Sequence, residues 1–225
     1  MTLARAWFVT GTDTEIGKTH TTCALLHAAR AQGLSALGMK PVAAGTELRN
    51  GEWINEDAAR LREAGSFDPG LALLNPCCFR SPIAPHIAAL EEGRSIDPAP
   101  LLRAFGELRQ KADILLVEGV GGFRVPLGEH YDTADLARDF GLPVILVVGM
   151  RLGCISHALL TAEAIRQRGL ELAGWVANTV DPAMLRFDDN VEALRQRLQA
   201  PLLGVLPHLE QPAEGAARSG LHLPR

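Results

Sequence analysis

The sequence predicts an α/β fold: a doubly wound, mainly parallel sheet flanked by helices. Two observations carry this expectation. Short apolar runs bounded by turn residues alternate along the chain with amphipathic stretches of helical period. Polar or glycine-rich residues follow almost every apolar run, as they do where ligands collect at the carboxyl ends of parallel strands.

The elements follow in order. Ala6 to Val9 is a buried strand, and Lys18 to Gln32 the helix after it. Leu34 to Met39 gives a second strand and Glu56 to Glu63 a helix; Pro100 to Lys111 gives another helix and Ile114 to Val117 the third strand. Thr133 to Phe140, Val144 to Val148, Ile155 to Arg168, Gly174 to Ala177, Met184 to Leu198 and Leu203 to Leu206 then continue the alternation of helix and strand to the end. The segment from Ser66 to Pro100, punctuated by Pro and Gly, is expected to hold functional loops.

With 225 residues, the chain fits one domain, residues 1–225, able to bury roughly 70–75% of its unfolded surface. Its net charge is −4 and it has no basic run with interleaved aromatics, so nucleic acid is not expected as a partner. No apolar run approaches the length of a membrane span, and no N-terminal stretch resembles a secretion signal. Cys23, Cys77, Cys78 and Cys154 show no C-x-x-C spacing, and vicinal Cys77 and Cys78 pair poorly; reduced thiols in a cytoplasmic protein are the expectation.

Between the first strand and the first helix lies Gly11-Thr12-Asp13-Thr14-Glu15-Ile16-Gly17-Lys18-Thr19. It approximates the pattern of Gly, four residues and Gly-Lys-Ser/Thr, with the leading glycine displaced by one to Gly11. Gly17 lets backbone N–H groups turn toward phosphate oxygens, Lys18 reaches the β- and γ-phosphates, and the Thr19 hydroxyl completes a Mg²⁺ shell. Glu118 ends an apolar strand, the usual place for a Mg²⁺ partner in nucleotide-hydrolysing folds. These residues make the expected fold one of the phosphate-loop nucleotide-binding type. Taken alone, Lys40 reads equally as a functional group or a solvated lysine at a strand end, Asp57 as a residue of a helix start, and His208 as a surface histidine.

Taken together, the loop, Lys40-Pro41-Val42, Glu118-Gly119-Val120-Gly121-Gly122, Leu152-Gly153-Cys154 and Gly174-Trp175-Val176-Ala177-Asn178 resemble the dethiobiotin synthetase family, from about Trp7 to Ala217. The resemblance implies ATP- and Mg²⁺-dependent closure of a cyclic urea from 7,8-diaminononanoate and CO₂, giving dethiobiotin, ADP and phosphate by way of a carbamate and a carbamic-phosphoric anhydride. It implies catalytic roles for Lys18 and Lys40 at the transferred phosphoryl, and a Mg²⁺ shell of Thr19, Asp57 and Glu118. Nucleotide contacts are implied for Thr14, Glu15, Ile16, Gly17, Lys18, Thr19, Asp57, Glu118, Gly119, Val120 and Gly121. Around base and ribose they are implied for Asn178, Thr179, Pro207, His208, Leu209 and Glu214; Asn178 has the donor and acceptor needed at an adenine edge.

The resemblance further implies a homodimer in which the segment Arg151 to Cys154 holds the carboxylate of the partner's substrate, with Cys154 as a packing residue. It also places the Pro82 to His86 loop near the site. Some positions depart from the family pattern: Ala44 and Ala84 replace common serines, with Thr46 a possible stand-in for the first, and Arg151 and Ser156 replace a commoner lysine and asparagine. Two rivals share the phosphate loop. An ATP-dependent amide-forming or cobyrinate-type synthase needs a glutamine-hydrolysing domain for which this length leaves no room. A partitioning or cell-positioning ATPase has an extra lysine where this chain has Thr12 and Asp13.

Overall fold

The computed structural model describes residues 3–49, 51–208 and 220–224. In chain order the elements are β1 (Arg5–Gly11), α1 (Lys18–Ala31), β2 (Ala36–Met39), β3 (Val42–Ala44), β4 (Glu47–Arg49), β5 (Glu52–Ile54), α2 (Glu56–Ala64), α3 (Leu71–Leu74), β6 (Cys77–Phe79), α4 (Pro85–Glu91), α5 (Pro98–Leu108), β7 (Ile114–Glu118), α6 (Thr133–Phe140), β8 (Val144–Met150), α7 (Cys154–Gln167), β9 (Leu172–Thr179), α8 (Phe187–Arg197) and β10 (Leu202–Leu206). Six strands form the central sheet in the order β10-β9-β8-β1-β7-β2, and every pairing within it is parallel.

The sheet owes its position to strands that are apolar on both faces. In β7 and β8 every residue is buried, and alternate side chains supply two separate layers. Phe8, Leu115, Val117, Leu146 and Val148 pack with Phe105, Phe140, Ala158 and Leu194 of α5 to α8. Trp7, Val9, Leu116, Ile145 and Val147 pack with Ala24, Leu25, Leu26 and Leu61 of α1 and α2.

The chain leaves β1 toward β2 and β7 on one side and crosses to β8, β9 and β10 on the other, which opens a crevice at the carboxyl end of β1. Register sets what meets there. Val9 pairs with Glu118, Met39 with Val117, and Gly149 with Asn178. Lys40, one residue past Met39, is thereby delivered beside Glu118.

The segment expected to be loops, from Ser66 to Pro100, contains α3, β6, α4 and the start of α5. Its strand is three residues long and pairs with β3 rather than with the main sheet. Elements this short have no periodicity to read; they exist because tertiary neighbours supply their partners. β4 and β5 form a separate antiparallel hairpin ahead of α2. Among the described residues no helix is long and apolar enough to cross a membrane, and all four cysteines are free.

Candidate active site

The loop after β1 opens α1 in a way suited to an anion. Gly17 has φ +84° and caps the helix with no side chain, and the first turn contains no acid. The first N–H groups of α1 therefore have no side-chain acceptor. By contrast, Asp132 and Asp135 close a full capping box on α6. Two further bonds shape the loop: the Lys18 ammonium donates to the Asp13 carbonyl at 2.9 Å, and Arg151 pairs with the Asp13 carboxylate at 2.6 Å.

Behind the loop, three chain segments converge. The Thr19 hydroxyl lies 2.8 Å from Asp57 Oδ1 and 2.7 Å from Glu118 Oε1. The Lys40 ammonium lies 2.8 Å from Asp57 Oδ2 and 2.6 Å from Glu118 Oε1, and donates also to the Gly119 carbonyl at 3.2 Å. Asp57 reaches this cluster because Asn55, not Asp57, caps α2: its side chain accepts from the N–H groups of Asp57 and Ala58. The Asn55 amide also donates to the Gly45 carbonyl at 2.7 Å, fixing the start of α2 to the end of β3.

The charges perturb one another. Burial, then the nearby Lys40 ammonium, pulls the Lys18 pKa down from 10.5 to about 8. Burial opposes charge on Lys40 as well, yet Glu118 and Asp57 outweigh it and hold the Lys40 pKa above the ordinary lysine value. Asp57 is held below the usual carboxylate range, since Lys40 overcomes the opposing effect of burial.

The oxygen set fits a divalent cation. Thr19 has one hydroxyl proton to offer two carboxylate oxygens within 2.8 Å, and Glu118 Oε2 is buried with no partner among the described residues. Hydroxyl and carboxylate oxygens with room for phosphate oxygens and waters suit Mg²⁺.

Lys18, Lys40, Thr19 and Asp57 line a cleft of about 690 Å³, with Glu118 buried behind them. Its lining is polar at Thr14, Glu15, Gly17, Lys18, Thr19 and Asp57, and apolar at Ala44, Pro82, Ile83, Ala84, Val120 and Val125. Lys40 and Gly121 also line it. Glu15 is exposed and takes a left-handed φ of 58°. Gly119 packs so closely on Phe8 that a Cβ there would lie 2.9 Å from the ring. Thr46 is absent from the lining, its hydroxyl buried without a partner among the described residues.

Sequence reasoning missed His20, Arg60 and Val125, which also face the cleft. Arg60 lies one helical turn after Asp57, so the helix period was the available signal for it. At the far end of the loop, Asn178 is buried and its side-chain Nδ2 donates to the Ile16 carbonyl at 2.8 Å. The Ile16 side chain is buried too. His208 Nδ1 donates to the Thr179 carbonyl at 3.1 Å, and both Pro207 and His208 are exposed. Leu209 and Glu214, expected at the base and ribose, lie outside the described residues.

The fold and the loop define a phosphate-loop nucleotide-binding protein. Solved structures of that kind are similar: the MinC:MinD cell division complex of Aquifex aeolicus matches with a TM-score of 0.56 at 17% identity, over 96% of this chain and 86% of that one. A ParA family ATPase of Chlorobium tepidum matches with a TM-score of 0.56 at 12% identity, over 96% and 90%. At such identities the likeness concerns the fold alone. Residues 5–214 match the family model described as an AAA domain. The chain is 69% identical, over 224 residues and 100% of both proteins, to the ATP-dependent dethiobiotin synthetase BioD of Aromatoleum aromaticum. It belongs to the dethiobiotin synthetase family and is an ATP-dependent ligase of biotin biosynthesis.

Proposed function

We propose that this chain closes the ureido ring of dethiobiotin from 7,8-diaminononanoate, CO₂ and ATP, releasing ADP and phosphate. The observation that carries the reading is one cleft lined by Lys18, Lys40, Thr19 and Asp57 together with the apolar Ala44, Pro82, Ile83 and Ala84, with the buried Glu118 carboxylate held behind it against Lys40 and Thr19. The site contributes placement and charge rather than a nucleophile. Holding the reacting groups together is worth up to about 7–11 kcal/mol of barrier.

One amine of the substrate takes up CO₂ as a carbamate, whose oxygen attacks the γ-phosphorus with loss of ADP. The second amine then attacks the carbonyl of the mixed anhydride, closing the ring and expelling phosphate. Lys18 and Lys40 offset the negative charge that spreads over the transferred phosphoryl. Thr19, Asp57 and Glu118 would hold Mg²⁺, which supplies charge neutralisation at the phosphates when bound. Gly17 and the first turn of α1 offer N–H donors to the phosphates. Glu15, Gly119, Val120 and Gly121 border them, and Asn178, Thr179, Pro207 and His208 face base and ribose. The apolar lining residues Ala44, Pro82, Ile83 and Ala84 suit the alkyl chain of the diamine.

The protein acts as a homodimer in the cytoplasm, and residues 1–225 work as one catalytic unit. Leu152, 95% exposed, and Leu160 on the outer side of α7 support a partner there. The α7 N-terminus, capped by Gly153 with no side-chain bond, suits the carboxylate of a substrate bound mainly by that partner. Arg151 itself is committed to Asp13.

Purified protein with Mg²⁺, ATP and bicarbonate should release ADP only when the diamine is present, one ADP per ring closed. ADP release at the same rate without the diamine, or release stimulated by DNA or lipid, would contradict the reading.

A further inference from the structure

We propose that Asn178 is a positioning residue for the phosphate-binding loop, holding its shape whatever base the nucleotide carries. The proposal rests on the nucleotide-site reading above and goes beyond a role for Asn178 at the base.

Asn178 stands near the end of β9, opposite Gly149 of β8, with only 7% of its surface exposed. Its Nδ2 donates to the Ile16 carbonyl at 2.8 Å. A trans peptide is planar with its C=O and N–H antiparallel. Fixing the Ile16 carbonyl therefore aims the next N–H, that of Gly17, away from Asn178. A Cβ on Gly17 would lie 2.1 Å from Asn178 Nδ2, so the glycine provides room for the brace as well as a φ of +84°.

The Ile16 side chain pins the other side of the same residue. It is 2% exposed and seated between Gly11 and Gly149, where a Cβ on either would come within 2.7 Å of it. Residue 16 is thus held by its side chain in a two-glycine socket and by its carbonyl on Asn178. The three residues that follow, Gly17 to Thr19, inherit that orientation as they enter α1. The amide oxygen of Asn178 is left to accept from a base, so the same side chain can serve both ends of a nucleotide.

The test uses a ligand with no base. Dissociation constants of ATP and of inorganic tripolyphosphate, each with Mg²⁺, are measured by calorimetric competition for the wild type, Asn178→Ala and Asn178→Asp. Loss of the brace should weaken tripolyphosphate as well as ATP, by roughly tenfold in Asn178→Ala. Asn178→Asp should lose more, since a carboxylate facing the Ile16 carbonyl has no proton to give. Tripolyphosphate affinity within about twofold of wild type in both variants, with only ATP weakened, would make Asn178 a base contact and overturn the proposal.

A second measurement needs no ligand: amide hydrogen exchange of the peptide spanning residues 11–19, with the β8 peptide in the same sample as the folding reference. Faster exchange in the loop alone is expected for Asn178→Ala; unchanged loop exchange also overturns the proposal. A wild type that binds neither ATP nor tripolyphosphate would instead refute the nucleotide-site reading, whatever the exchange arm shows.

Discussion

Replacing Lys40 by Met tests the buried charge cluster directly. The ammonium sits 2.6 Å from Glu118 Oε1, with Lys40 2% and Glu118 0% exposed. Methionine keeps most of the buried stem, so little cavity forms and the main effect is an uncompensated carboxylate. Breaking such a pair by removing one partner costs about 3–5 kcal/mol. For a chain of 225 residues, each kcal/mol moves the thermal midpoint by about 2–4 °C, so the expected fall is roughly 6–20 °C.

The assay is thermal unfolding followed by circular dichroism, with EDTA and then with millimolar MgCl₂. Two companion results are required. Lys40→Met with Glu118→Gln should recover most of the loss, because the stranded charge is gone while Asp57, 39% exposed, keeps water contact. MgCl₂ should stabilise Lys40→Met more than the wild type, since the oxygens of Thr19, Asp57 and Glu118 would then receive a cation unopposed by the ammonium. A fall of less than about 1 kcal/mol, or the same response to MgCl₂ in both proteins, would refute the reasoning.

Gly17→Ala should weaken ATP binding by at least about 100-fold, because the new methyl would collide with Asn178 Nδ2 at 2.1 Å and sit at φ +84°; near-normal calorimetric binding would count against the described loop. Lys18 supplies a pH test. Its folded pKa of about 8 lies below the ordinary 10.5, so between those values the unfolded chain binds more protons and stability rises with pH. The penalty for burying the cation is complete below about pH 8 and is lost as pH climbs past the unfolded value. Denaturant titrations of wild type and Lys18→Met should therefore diverge in favour of wild type across this window, and a constant difference would show that Lys18 is not desolvated.

Most of the sheet was legible because its strands are short apolar runs buried on both sides, and the ends of β7 and β8 were missed by only a residue or two. β3 and β6 were not legible. Each is three residues long and is a strand only because the other lies alongside it. At the site, the contiguous motif through Thr19 declared itself, since residue order and chemistry coincide there. Asp57 did not, because Asn55-Glu56-Asp57 reads as a helix start, and the cap proves to be Asn55, which frees Asp57 to turn toward Thr19 and Lys40. Asn178 was legible as a polar residue after a strand, but the direction of its amide depends on a carbonyl in a loop 162 positions away. Arg60 and His20 face the cleft by helix geometry that no motif encodes.

Two sets of residues lining the cleft differ in how they are anchored. Thr14 to Thr19 and Lys40 follow β1 and β2 of the main sheet, whereas Pro82, Ile83 and Ala84 belong to a stretch of brief elements around β6 and α4. Substitutions in the second set can therefore reshape the cleft, one small side chain at a time, without disturbing the sheet strands that carry the first. The two alanines found in the lining, at 44 and 84, are what such independence would leave behind.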